Sequence, residues 1–134
     1  MFRKAAAMPR SEQESYAQNR LRASQLDQRK AHIRRLNDAL RTEMRGGRMV
    51  ITSGVRSLGP ILLQRVLEAV AAFRNFAADN DPYGERDFGA VDVGRHRIFW
   101  KIDYYDKTLT CGSPDAADPD VTARVLTIML ASEY

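Results

Sequence analysis

Cysteine is nearly absent. Cys111 is alone among 134 residues, so no internal disulfide forms and the fold must hold by burial. Long apolar runs are missing too, and none approaches the roughly 18–20 residues needed to span a bilayer. Met1 to Arg10 has basic residues and alanines but no apolar core, which argues against a signal peptide. Histidine is limited to His32 and His96, and Cys111 has no CxxC partner, so a zinc site of three or four ligands lacks material. Gly46-Gly47 and Gly54…Gly59 lack the Lys-Ser/Thr ending of a phosphate-binding loop. The expectation is one small cytoplasmic domain with no membrane partner, no cofactor and no metal.

What is there is globular in balance: 44% hydrophobic and 28% charged residues, with a formal net charge of +4. That charge is divided unevenly. Residues 1–48 carry 12 Lys/Arg against 5 Asp/Glu, whereas residues 49–134 carry 9 against 12. A basic arm on an acidic body steers encounters with polyanions or acidic protein faces.

From Ser11 to Met44 the chain has neither Pro nor Gly and reads as helix. Ile33, Leu36, Leu40 and Met44 form a helical stripe, so 31–44 is expected to dock on the body. Leu21 and Leu26 stand almost alone before it. This makes 1–30 a basic polar extension, helical from 11 and disordered over 1–10, on a domain at 31–134. Arg48–Thr52 is rich in β-formers and reads as a strand. Pro60 opens a helix over 60–76, with Leu63, Val66, Leu67, Val70 and Phe73 on its apolar side.

NDPYGERDFG (80–89) is turn chemistry. Ala90–Val93, a Gly94-Arg95 turn and the alternating His96–Tyr105 predict a hairpin, with Ile98, Trp100 and Ile102 on the core face. Thr108–Cys111 is expected to return as a third strand. Asp118-Pro119-Asp120 has the form of a helix start, with Val121, Val125, Ile128 and Met129 as that helix's stripe. The predicted order is α–β–α–β–β–β–α: an α+β fold with a small antiparallel sheet covered by helices mainly on one face.

GGRMVITSGV (46–55), NDPYGERDFG (80–89), FWKIDYYD (99–106) and VLTIMLASEY (125–134) together resemble a family of small bacterial proteins of unknown function. Its members are often encoded on plasmids and other mobile DNA. The resemblance covers about residues 31–134 and implies a single α+β domain. It brings no assigned activity, cofactor or catalytic residue. The mobile-DNA setting implies an anti-defence or accessory role by association only.

Two surfaces carry candidate chemistry. Arg20, Arg22, Arg29, Lys30, Arg34, Arg35 and Arg41 recur along the first helix. Arginine forks bind phosphates bidentately, so this helix is the candidate contact for nucleic acid or an acidic protein complex. Pairing with the acidic body of a second copy leaves a homo-oligomer open. Among Phe, Tyr and Trp, only Tyr16 interleaves the charges, and any solvated helix is also rich in charge.

The second face is Asp81, Tyr83, Asp87, Lys101 and Asp103. Clustered carboxylates suit hard cations, and a metal-assisted hydrolase using Asp81, Asp87, Lys101 and Asp103 is the alternative function. The simpler account is a solvated turn beside a surface ion pair. The spacing fails a calcium loop, and Phe99 occupies the position where a strand-borne nuclease motif needs an acid. No catalytic residue is assigned. The leading expectation is a non-catalytic interaction protein.

Overall fold

The computed structural model describes residues 8–134. The disorder expected of 1–10 therefore falls largely on residues outside that span, and from Arg10 the chain is helical. Helix α1, Arg10–Glu43, is a single 34-residue element. It ends because Met44 takes a left-handed conformation at φ 57°, whose N–H reaches back to the Leu40 carbonyl at 3.0 Å. Strand β1 (Arg48–Ile51) follows, then a single-turn helix α2 (Ser53–Arg56) capped by the Thr52 hydroxyl. Helix α3 (Pro60–Ala72) carries proline in its first turn, as expected, and stops before the predicted residue 76 because Phe73 turns extended.

Strands β2 (Phe88–Val93), β3 (His96–Tyr105) and β4 (Ala123–Leu130) complete a four-stranded sheet in the order β1-β4-β3-β2. The fold is α+β. The β2–β3 hairpin has the expected register and turns at Gly94, where φ is 59°. One face of the sheet presents Ile98, Trp100, Ile102, Leu126 and Ile128. Leu40 of α1, Val55 of α2, and Val66 and Val70 of α3 complete the same buried cluster. Trp100 is fully buried there, packed edge-to-face on Phe73 and Phe76.

Three expectations need correction. The last element is a strand and not a helix: β4 lies between β1 and β3, and residues of both its faces are buried. ARVLTIML is apolar apart from Arg124 and Thr127, with a period that does not separate a buried strand from a buried helix, and its β-branched residues and central position decide for strand. The Thr108–Cys111 strand does not form. Asp106 instead accepts from the Thr110 N–H at 3.0 Å and the Thr108 hydroxyl at 3.0 Å, holding a turn that leaves one bridge, Tyr105 to Gly112. The sheet is mixed, because β1 runs parallel to β4, so the element order is α–β–α–α–β–β–β with a closing 3-10 turn at Ala131–Glu133.

Candidate functional site

Helix α1 has two halves. Residues 10–30 are all exposed, about 30 Å of helix at 1.5 Å per residue. Glu12 sits in the first turn and Arg10 pairs with Glu14 at 3.2 Å, both favourable for a solvated helix. From Ala31 the helix meets the body, with Ile33, Asn37, Leu40 and Arg41 buried. Arg20, Arg22 and Lys30 lie on the free half, and Arg35 is exposed just beyond it. At 3.6 residues per turn Arg22 and Arg29 share a side while Arg20, Lys30 and Arg35 point elsewhere, so positive charge surrounds the helix and forms no single stripe. Arg29 donates to Asp115 at 2.9 Å, which ties the free half to the body. The Asp115 carboxyl is held below its usual range, chiefly by the Ala117 N–H and then by Arg29. Arg34 is half-buried, with its Nε unpartnered.

Arg41 has turned inward and leaves the contact set. It is 5% exposed. Its Nη1 donates to the carbonyls of Val70 at 2.9 Å, Ala71 at 3.2 Å and Phe73 at 2.9 Å, closing the negative end of α3. Its guanidinium lies 5.1 Å from the Trp100 ring centre. Burial pulls its proton affinity down, and the hydrogen bond with Asp38 opposes this.

The 80–89 loop is fastened to the docked half of α1. Asn37, fully buried, accepts from Arg124 Nε at 2.7 Å through its Oδ1. Its Nδ2 donates to the Glu85 carbonyl at 3.0 Å and to the Tyr104 hydroxyl at 2.8 Å. Tyr104 in turn donates to Glu85 Oε2 at 2.8 Å, and burial raises its phenol well above the ordinary range. Arg124, 2% exposed, lies over the Tyr104 ring and also donates to the Ala116 carbonyl. Asp38 receives Arg86 at 2.9 Å. Gly89 faces Trp100 across the hairpin, where an added Cβ would stand 2.5 Å from the indole Nε1. NDPYGERDFG and FWKIDYYD thus meet each other as framework.

The second candidate face is a set of neighbouring charges, several of them engaged within the fold. Asp81 Oδ1 accepts from the Arg86 backbone N–H at 3.1 Å, as turn chemistry requires, and Tyr83 is exposed beside it. Asp87 is half-buried and its carboxyl is pushed up, mainly by burial and then by the charges of Glu85, Asp81 and Asp103. Lys101 and Asp103 pair with each other at 3.0 Å on the sheet face opposite Trp100. That hydrogen bond is the main cause holding the Lys101 amine above its usual range. Among the described residues, no three His, Cys, Asp or Glu side chains group closely enough to hold a metal ion.

Residues 51–133 match a family model described as Protein of unknown function (DUF3768). The chain belongs to this family. The DUF3768 span takes in α2, α3 and strands β2 to β4, and the whole of NDPYGERDFG and FWKIDYYD. It leaves α1 outside and includes only the end of GGRMVITSGV. Comparison with curated proteins and with solved structures gave no match. No described helix is long and apolar enough to cross a membrane.

Asn37, Asp38, Arg86 and Arg124 are the organising residues that sequence reasoning did not single out. Asn37 and Arg124 do carry a signal: each is a polar residue set among the buried apolar positions of its element.

Proposed function

We propose that this DUF3768 protein is a non-catalytic cytoplasmic binding protein whose long helix engages a nucleic acid. The observation that carries the reading is the free half of α1: residues 10–30 extend wholly exposed from the body, in line with a docked half that fixes their direction. Arg20, Arg22 and Lys30 have no ion-pair partner among the described residues, and Arg35 beside the body is likewise unpaired. Cations arranged around a helix, without an aromatic platform, suit phosphate contact that is largely independent of sequence. An accessory role for mobile DNA, such as countering a host defence complex, belongs to this reading and rests on the resemblance alone.

The test is binding to unrelated 25-base-pair duplexes across a salt series. Affinity should be measurable near 50 mM salt and fall by about 0.9 log units per log unit of salt for each phosphate neutralised. Arg22→Gln with Arg35→Gln should weaken all duplexes alike and flatten the slope by up to about 2. Absence of binding at low salt overturns the nucleic-acid reading.

A protein partner is the second reading, favoured by the exposure of Tyr16, Leu21 and Leu26 on the same segment at 57%, 60% and 58%. A partner retained after nuclease treatment of a lysate would support it. The hydrolase alternative gains no support: Asp81 is engaged by the loop backbone, and Lys101 and Asp103 neutralise each other.

A further inference from the structure

A cavity of about 320 Å³ opens where α1, the segment after α3 and the 80–89 loop meet. Asp38 and Arg41 wall it from α1, Phe73, Arg74 and Phe76 from the segment after α3, and Arg86 from the loop. Three guanidinium groups therefore line the cavity beside one carboxylate. Asp38 Oδ1 accepts from Arg41 at 3.3 Å and Oδ2 from Arg86 at 2.9 Å, so its capacity is divided between two cations. Arg74 is exposed and makes no ion pair among the described residues.

The positive charge is held in place. Arg41 and Arg86 lie over the Phe76 ring, 5.3 and 5.0 Å from its centre. Arg41 is buried, and its Nε has no hydrogen-bond partner. The charges of Arg74 and Arg86 act on Arg41 in the same direction as its burial, so the cluster is electrostatically under-compensated. Like charges gathered around a buried guanidinium are costly to maintain, and an anion would relieve that cost.

We infer that this cavity binds the phosphate monoester group of a small ligand, with Phe73 and Phe76 receiving an apolar or planar part next to the phosphate. The charge count favours phosphate over carboxylate. Three guanidiniums less one carboxylate leave a surplus of two, and a phosphate monoester carries about −1.5 to −2 at pH 7 on three acceptor oxygens. Guanidinium forks match those oxygens in geometry. The volume is at the lower end of small-ligand sites, which suits one phosphate on a small body. This site is on the domain and does not depend on the free half of α1.

The experiment titrates the full chain with phenyl phosphate, and separately with inorganic phosphate, up to about 10 mM, ten times a 1 mM Kd. Amide NMR shifts locate the site, and fluorescence of Trp100, the single tryptophan, follows occupancy because Arg41 and Phe73 lie against its ring. Expected is saturable binding of phenyl phosphate, tighter than inorganic phosphate, with shifts centred on 38–42, 73–76 and 86. Arg74→Gln should weaken it about tenfold without changing Tm, and Arg56→Gln on α2 should leave it unchanged. Lack of saturation by either probe overturns the inference. So do shifts confined to 20–35, which would assign phosphate attraction to α1 instead, or an equal loss in Arg56→Gln, which would mark general charge attraction.

Discussion

The two halves of α1 share one continuous helix and both carry Arg and Asn, yet they do opposite things with their polar residues. In the docked half, Asn37 and Arg41 point inward. Each satisfies backbone or side-chain groups of another element: Arg41 the end of α3, Asn37 the loop and β4. In the free half Arg and Asn face water, and among the described hydrogen bonds and ion pairs only that of Arg29 with Asp115 reaches the body. An isolated polar helix of this length is marginal in water, so the docked half acts as its nucleus and supplies its direction. Charge on a helix therefore does not reveal its use. The neighbouring apolar positions do: Ile33 and Leu40 bring Asn37 and Arg41 into the interior, whereas Leu21 and Leu26 have nothing to meet.

The comparison breaks most severely if the body proves tolerant where α1 docks. Trp100→Ala should cost about 3–5 kcal/mol and unfold so small a domain, as read by loss of a cooperative thermal transition. Next in size is Asn37→Ala. It leaves the Arg124 Nε and the Tyr104 hydroxyl short of partners in the interior, and should cost about 2–4 kcal/mol in denaturant unfolding. Tyr104→Phe, which keeps the ring over which Arg124 lies, should cost less than Asn37→Ala. Equal costs would mean that the hydroxyl, not Asn37, organises the network.

Much of this frame was legible. The alternation from Ile98 to Tyr104 gave the core face and the burial of Trp100, and the run without Pro or Gly gave α1 its length. Missing were features that depend on distant neighbours. β4 was misread because a strand buried on both faces has lost the alternation that identifies strands, and its neighbour β1 lies some 75 residues away in the chain. Arg41 reads as a contact arginine because residue type alone does not distinguish an arginine that caps another helix from one facing water; its place beside Leu40 is the local signal, and the α3 carbonyls it meets lie about 30 residues on. The carboxylates of 80–89 suggested chemistry, but Asp38 and Asn37, which hold that loop, come from more than 40 residues upstream.

A smaller effect concerns Asp87, on the loop held by the docked half. Its folded pKa is raised above the ordinary 3.8, so the folded state keeps the proton more firmly than the unfolded chain does. The sign follows: its contribution favours folding below about the unfolded pKa and is lost as pH rises through that value to the raised one. Asp87→Asn should therefore raise Tm relative to the parent at pH 7 and give little or no gain at pH 3. A fall at pH 7 would mean that the charged carboxylate is engaged in the folded protein, which would revive the second face.

The smallest expected effect is the sharpest test of the two halves. A chain beginning at Lys30 loses, among the described contacts with the body, only the Arg29–Asp115 ion pair, whose side chains are 46% and 47% exposed. Pairs that open to solvent contribute about 0–1 kcal/mol, so the shortened protein should melt cooperatively within about 3–5 °C of the full chain. Removing Tyr16, Leu21 and Leu26 costs the monomer no burial, since they are exposed already. A large drop in Tm would show that those three side chains are covered in solution. The measurement that follows is the dependence of the full chain's Tm on protein concentration, which rises with concentration only if a second copy covers them. If Tm is unmoved by truncation while duplex binding disappears, the free half is a binding element carried by a body that folds without it.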